Sequence, residues 1–308
     1  MITIIQKELA DYFNSTRCLI LFILALFASA AGLVAAYQGI RGVGLPEGFV
    51  FLGLFTTSGN VIPSLLSLIT LLVPIMGIAL GFDAINSERS GGTLSRILSQ
   101  PIYRDNVING KFVAGIITLA IMITTMLLLV SGYGLRIIGV APTSEEGIRL
   151  LIFLIFTIIY GAFWMGLAML FSVVFQRIAT SLLTSIGIWL FFTIFILMIA
   201  PAIANSLVPT ADASTAEIIR NAELQQVIMR FSPNYLFSEA TTVLLLPQAI
   251  GSLGIVTASQ VAYMLPNPLS LNQCVLLIWP QLTTLIALSA VCFAVSYVVF
   301  MRQEIRAT

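Results

Sequence analysis

A chain of 308 residues that is 59% hydrophobic and only 9% charged, with a mean hydropathy of +1.05, is excluded from the water-soluble globular class, where about 25% of residues carry charge. A net charge of +1 gives no electrostatic hold on nucleic acid, and the absence of histidine removes the commonest general base and the commonest metal ligand together. The three cysteines, Cys18, Cys274 and Cys292, stand too far apart to spell a metal motif or a disulfide framework, so no metal site and no catalytic residue is expected.

Residues 1–17 read as a helix that precedes the first span. Ile2, Ile5, Leu9 and Tyr12 or Phe13 recur at helical spacing, with Gln6, Lys7, Glu8, Asp11 and Asn14 elsewhere on the wheel. Such a helix either lies in the headgroup plane, apolar face down, before the chain turns into the bilayer, or is a merely solvated N-terminal helix. The apolar run that follows continues to Tyr37. Glu8 and Asp11 interrupt the basic start that a signal peptide needs, so Ala28-Ser29-Ala30 is read as part of an uncleaved first span.

Six stretches reach the roughly 20 residues that a membrane helix needs. They lie near residues 18–37, 61–82, 112–135, 150–175, 178–200 and 275–300, and the short Gln176-Arg177-Ile178 link makes the fourth and fifth a tight hairpin. An even number of spans puts both termini on one side. That side holds Lys7, Arg17, Arg89, Arg96, Arg104, Lys111, Arg177, Arg302 and Arg306, whereas Arg41, Arg136, Arg149, Arg220 and Arg230 are spread over longer loops opposite. The positive-inside rule therefore places both termini in the cytoplasm of a cell membrane. The expected fold is an all-α polytopic membrane protein in one domain, 1–308.

Between the second and third spans, residues 83–111 form a polar island, DAINSERSGGTLSRILSQPIYRDNVINGK. It reads as a helix end, a break at Gly91-Gly92, a short helix, a stop at Pro101 and a fresh start at Asp105. The short helix is amphipathic: Leu94, Ile97 and Leu98 on one face, Ser95, Arg96 and Ser99 on the other, Thr93 as its N-cap. A half-apolar helix held between two spans can dock into a groove on a soluble partner and pass force to both.

The string Glu88-Arg89, Gly92-Thr93-Leu94, Leu98-Ser99, Pro101, Arg104 and Gly110-Lys111 resembles the signature of type 2 ABC exporter permeases. Asp83 and the Ser99-Gln100-Pro101 run look closest to the permeases of nitrous-oxide-reductase maturation and of gliding machinery. Lys7-Glu8-Leu9 with Asp11, Tyr12 and Arg17 is similar to the amino-terminal elbow of the same family. The resemblance implies a cytoplasmic coupling helix in residues 83–111, with Asp83, Glu88, Arg89, Gly92, Thr93, Leu94, Ile97, Leu98, Pro101 and Arg104 meeting the ATPase. It implies two copies of a separate ABC ATPase carrying ATP and Mg, and a second permease chain, a homodimer by default.

The outer segment, residues 201–274, is the one place for a non-membrane subdomain. Residues 211–230 read as an amphipathic helix, and the apolar run from Tyr235 to Val256, broken by Pro247, Gly251 and Gly254, as a re-entrant or surface-lying pair of short helices. Pro74 and Gly77 in the second span and Pro280 in the sixth mark candidate kinks. Thr70, Thr118, Thr124, Thr125, Thr157, Ser172 and Thr193 either line a path or bond back to their own helices.

The spans carry no charge at their centres, which counts against an ion-coupled carrier. The chain carries no energy source: Gly110-Lys111 lacks the upstream glycine of a phosphate loop, because position 105 is Asp, and Ser90-Gly91-Gly92 is a helix break. The reading is thus a permease subunit moving a hydrophobic or amphiphilic substrate outward, powered by a separate ATPase. Its alternatives are a membrane subunit that transmits force to an extracytoplasmic partner, and an ATP-independent carrier or scaffold.

Overall fold

The computed structural model describes residues 1–43, 49–59, 61–92, 103–139, 141–209, 214–246 and 269–303. Among them there is no β-strand, and six helices are long and apolar enough to cross a membrane. These are span 1 (Thr16–Arg41), span 2 (Leu65–Ser90), span 3 (Arg104–Arg136), span 4 (Ser144–Val174), span 5 (Ile178–Leu207) and span 6 (Leu271–Arg302). Each expected span is present and longer than its apolar run, because polar residues cap the ends instead of terminating the helix earlier. Ser64 accepts from the backbone of Ser67, and Thr143 with Glu146 and Ser270 with Gln273 form capping boxes. Span 3 ends at Gly139, whose φ of 73° is the left-handed conformation of a helix C-cap.

Span 4 is the centre of the bundle. Phe153, Phe156, Tyr160, Trp164, Met165 and Met169 are all buried on it. Lipid tails are as apolar as these side chains, so the spans gain from close packing and not from escaping water. The Gly77-x-x-x-Gly81 pair supplies that closeness: a Cβ on Gly77 would stand 2.6 Å from the Gly161 oxygen, and one on Gly81 2.5 Å from the Met165 oxygen. Gly77 is therefore a contact point for span 4, where the sequence marked a kink. Pro74 lies within continuous helix. The hydroxyls of Thr70, Thr118, Thr125, Thr157 and Thr193 all bond back to carbonyls four residues earlier.

Span 5 departs from expectation. The sequence ends it near Pro201, yet it continues to Leu207 with Pro201 inside it, through a π-helical turn at Phe191–Phe195. A proline costs the helix one donor, and the remaining carbonyl bonds carry it onward. The outer segment is correspondingly shorter than 201–274. Its first helix, Thr215–Met229, falls on the expected helical stretch, but it buries Asn221 while Ile218, Ile219 and Val227 stay exposed, so no apolar face is fully covered. The second, Pro233–Leu245, does not lie on a surface: Leu236, Phe237, Ala240, Val243 and Leu244 are buried, with Phe237 stacked on Tyr160 at 4.2 Å and 8°. The remainder of the expected pair, beyond Leu246, lies outside the described residues.

Candidate functional site

Residues Ile2–Asn14 form a helix that breaks at Ser15, where φ −82° and ψ 137° redirect the chain into span 1. The sequence wheel puts Glu8 with the solvated polar residues. Instead it is 7% exposed, because the helix packs against the start of span 3, where Gly110 admits Ile4. Lys111, 5% exposed, meets Glu8 there: its Nζ lies 2.8 Å from Glu8 Oε2 and 2.8 Å from Glu88 Oε1. Lys7 adds ion pairs to Glu8 at 3.2 Å and Asp11 at 3.3 Å. One buried ammonium thus joins three elements: the N-terminal helix, span 3 and the end of span 2.

Span 2 itself is interrupted just before Glu88. Phe82 to Ile85 form turns, and helix resumes at Asn86–Ser90. The backbone groups released by this break are met by neighbours: Ser172 Oγ accepts from Ile85 N at 3.0 Å and Asn86 N at 3.1 Å, and Ser181 Oγ donates to the Phe82 oxygen at 2.7 Å. A buried donor left without a partner costs about 1–3 kcal/mol, so the two serines make the break tolerable. Ser172 is therefore neither path lining nor back-bonded. Asp83, on the break, pairs with Arg17 at the start of span 1, whose guanidinium also lies over the Phe82 ring. Tyr12 Oη donates to the Leu80 oxygen at 3.1 Å. Burial, with the Glu8, Asp83 and Glu88 carboxylates nearby, pushes the Tyr12 hydroxyl well above the usual phenol range, so it stays a donor.

Past Ser90 the helix stops at Gly91 and Gly92, the latter at φ 66°. Thr93, Leu94, Ile97, Leu98 and Pro101 lie outside the described residues. The two arginines that flank them are described, and both reach one residue. Arg89 donates to the Gln303 side-chain oxygen and Arg104 to the Gln303 backbone oxygen at 3.2 Å, while Gln303 Nε2 donates to the Val173 oxygen at 2.9 Å. Gln303, at the end of span 6, was not singled out in the sequence; a lone glutamine after Arg302 carries no pattern.

Asn86 was missed as well. It is fully buried, and neither atom of its amide has a partner among the described residues. Of the expected site residues, then, Lys7, Glu8, Asp11, Asp83, Glu88, Arg89 and Arg104 gather at the end of the bundle that holds Met1 and Gln303. A cavity of about 390 Å³ opens between the N-terminal helix and span 2, with Glu8, Asp11, Asp83, Glu88, Arg17 and Lys111 on its walls. Among the described residues no group of histidine, cysteine and carboxylates is placed to hold a metal ion. Nothing in the arrangement resembles a nucleophile with its base; it is a set of clamps.

Comparison with known proteins bears on what the clamps hold. A family model described as ABC-2 family transporter protein matches residues 2–305. A probable ABC transporter permease protein NosY of Pseudomonas aeruginosa is 30% identical over 208 residues, covering 62% of this chain and 66% of the relative. The protein of the same description from Stutzerimonas stutzeri is 29% identical over 202 residues, with the same shares, so the chain spans 66% of the length of these curated relatives.

Proposed function

We propose, for a chain that belongs to the ABC-2 transporter family, the role of a membrane permease subunit whose segment 83–111 receives the stroke of a separate ABC ATPase. The observation that carries this reading is the Lys111 bridge. Movement of the segment's Glu88 stem pulls on span 3 and the N-terminal helix through one buried ammonium. The Arg89 and Arg104 bonds to Gln303 extend the same pull to span 6.

Two ATPase copies carrying ATP and Mg, a second permease chain and a cytoplasmic placement of the termini complete the proposal. Uncharged span centres favour a hydrophobic or amphiphilic substrate, moved outward. Spans 5 and 6, mostly exposed in the single chain, have surface to spare for a second copy and for lipid.

The test places a charge on the apolar face of the amphipathic stretch. Leu94→Asp or Leu98→Asp buries an unpaired ion at the ATPase contact, at a cost of several kcal/mol, and should abolish co-purification of the ATPase while membrane insertion survives. Ser95→Asp, on the other face, should be mild. Full ATPase retention by all three would refute the coupling role. Reporter fusions at Ser99 and Thr308 should report one side of the membrane, and those at Pro142 and Ala213 the other.

A further inference from the structure

A second pocket, about 260 Å³, lies at the opposite end of the bundle between span 6 and the helix Pro233–Leu245, lined by Arg230, Leu236, Leu277, Pro280, Gln281 and Thr284. Its polar wall rests on Glu239, a 5% exposed carboxylate that accepts from Gln226 Nε2, from Arg230 Nε and Nη2, and from Gln281 Nε2. Glu239 is thereby satisfied, but its partners are not. The Arg230 side chain is 45% exposed, and its Nη1 has no partner among the described residues. Gln281 is 8% exposed; its Nε2 must face the carboxylate, and its Oε1 is buried without a donor. The pocket therefore offers the exposed donors of one cationic side chain above an apolar floor, with Gln281 Oε1 sealed beneath its surface.

Depth says what can reach them. Span 6 has 32 residues, about 48 Å of helix, against a hydrocarbon core of roughly 30 Å. If the excess is shared between the ends, Gln281, about 15 Å along the helix, sits a few ångström inside the core boundary. Exposed Trp279 at the same level fits the aromatic belt at which headgroups meet tails. Leu277, Pro280 and Thr284 lie along one exposed face of the helix beside the pocket, a track for an acyl chain. An arginine at this depth lowers its desolvation cost by meeting a phosphate.

We propose that this pocket binds the headgroup of a phospholipid such as phosphatidylglycerol, with its phosphodiester on the exposed edge of Arg230 and an acyl chain along Leu277, Pro280 and Thr284. The site needs no ATPase, so its fate is independent of the coupling role.

The test is native mass spectrometry of the purified full chain, titrated with phosphatidylglycerol. Saturable binding is expected, weakened about tenfold or more by Leu277→Trp and by Thr284→Trp, each of which fills the pocket without touching the Arg230–Glu239 pair. Arg230→Gln made together with Glu239→Gln removes the ion pair as a neutral couple and should lose the lipid to a similar degree. Thermal midpoints establish that each variant is folded, and either tryptophan variant alone suffices. Equal binding of diacylglycerol, which has the tails without the phosphate, overturns the proposal. So does displacement by millimolar inorganic phosphate, which would mark a free-anion site, and so does unchanged affinity in a folded tryptophan variant.

Discussion

Lys111 and Glu8 are 103 residues apart in sequence and 2.8 Å apart in space, both nearly closed to solvent. Removing one partner of a buried pair leaves an uncompensated charge, at about 3–5 kcal/mol. Lys111→Met takes the shared ammonium from between the carboxylates of Glu8 and Glu88 and should lower the thermal midpoint of the detergent-purified chain by several degrees. Adding Glu8→Gln to it should restore part of the loss. A midpoint unmoved by Lys111→Met would show that the bridge is not made in the folded protein.

Gly81 and Gly187 provide a matched pair. A Cβ at Gly81 would collide with the Met165 backbone oxygen, which cannot swing away, whereas one at Gly187 meets nothing within 4 Å. Gly81→Ala should separate spans 2 and 4 and cost about 1–3 kcal/mol. Gly187→Ala should be neutral or stabilising by up to about 1 kcal/mol. Unfolding in mixed micelles reads both, and equal effects would contradict the packing described for span 4.

Arg149 is fully buried at the far end of span 4. Its guanidinium donates to the Leu244 oxygen at 2.9 Å, the Leu269 oxygen at 2.8 Å, Cys274 Sγ at 3.2 Å and Glu145 at 2.7 Å. Lysine has the charge but not the fork, so Arg149→Lys and Arg149→Ala should both destabilise, by about 1–3 kcal/mol for each backbone oxygen left bare. In a background with Cys18 and Cys292 changed to alanine, the maleimide reactivity of Cys274, silent in the parent, should appear in both variants. Continued protection of Cys274 in Arg149→Ala would show that the arginine does not close this region.

Glu239 predicts an acid limb. Burial raises its affinity for a proton, but the hydrogen bonds from Arg230, Gln281 and Gln226 outweigh burial, so its folded-state pKa lies below the usual 4.5. A lowered carboxylate stabilises the fold above the unfolded value and loses that contribution as pH falls through the folded one. The thermal midpoint should therefore be insensitive to Glu239 at pH 6–7 and decline below pH 4.5 as the group protonates. In Glu239→Gln that part of the decline should vanish. A variant that tracks the parent over the whole range would rule out this group as its source.

The six spans could be read because a bilayer demands about 20 consecutive apolar residues, a requirement that neighbours barely modify. What escaped notice depends on partners distant in sequence. Arg149 counts as a loop charge until the last turn of Pro233–Leu245 and the Leu269 carbonyl converge on it. Glu8 counts as solvated until Gly110 lets its helix close onto span 3. Pro201 reads as a stop because breaker rules describe helices that can surrender the broken end to water, which a span within lipid cannot do. Gly77 alone reads as a candidate kink, because the partner that gives the Gly77-x-x-x-Gly81 spacing its meaning, span 4, lies beyond the whole of span 3 in the sequence.

Span 4 runs unbroken from Ser144 to Val174. Near one tip, the Ser172 hydroxyl and the Val173 carbonyl hold the broken end of span 2 and the tail of span 6. Near the other, Glu146 accepts from the Phe51 backbone and Arg149 grips the outer segment. A helix of 31 residues is a rod of about 46 Å, too stiff to absorb a small axial shift along its length. Under the coupling role proposed above, displacing Ser172 by an ångström would displace Arg149 by nearly as much, with span 4 as a pushrod that puts the two ends of the bundle mechanically in series.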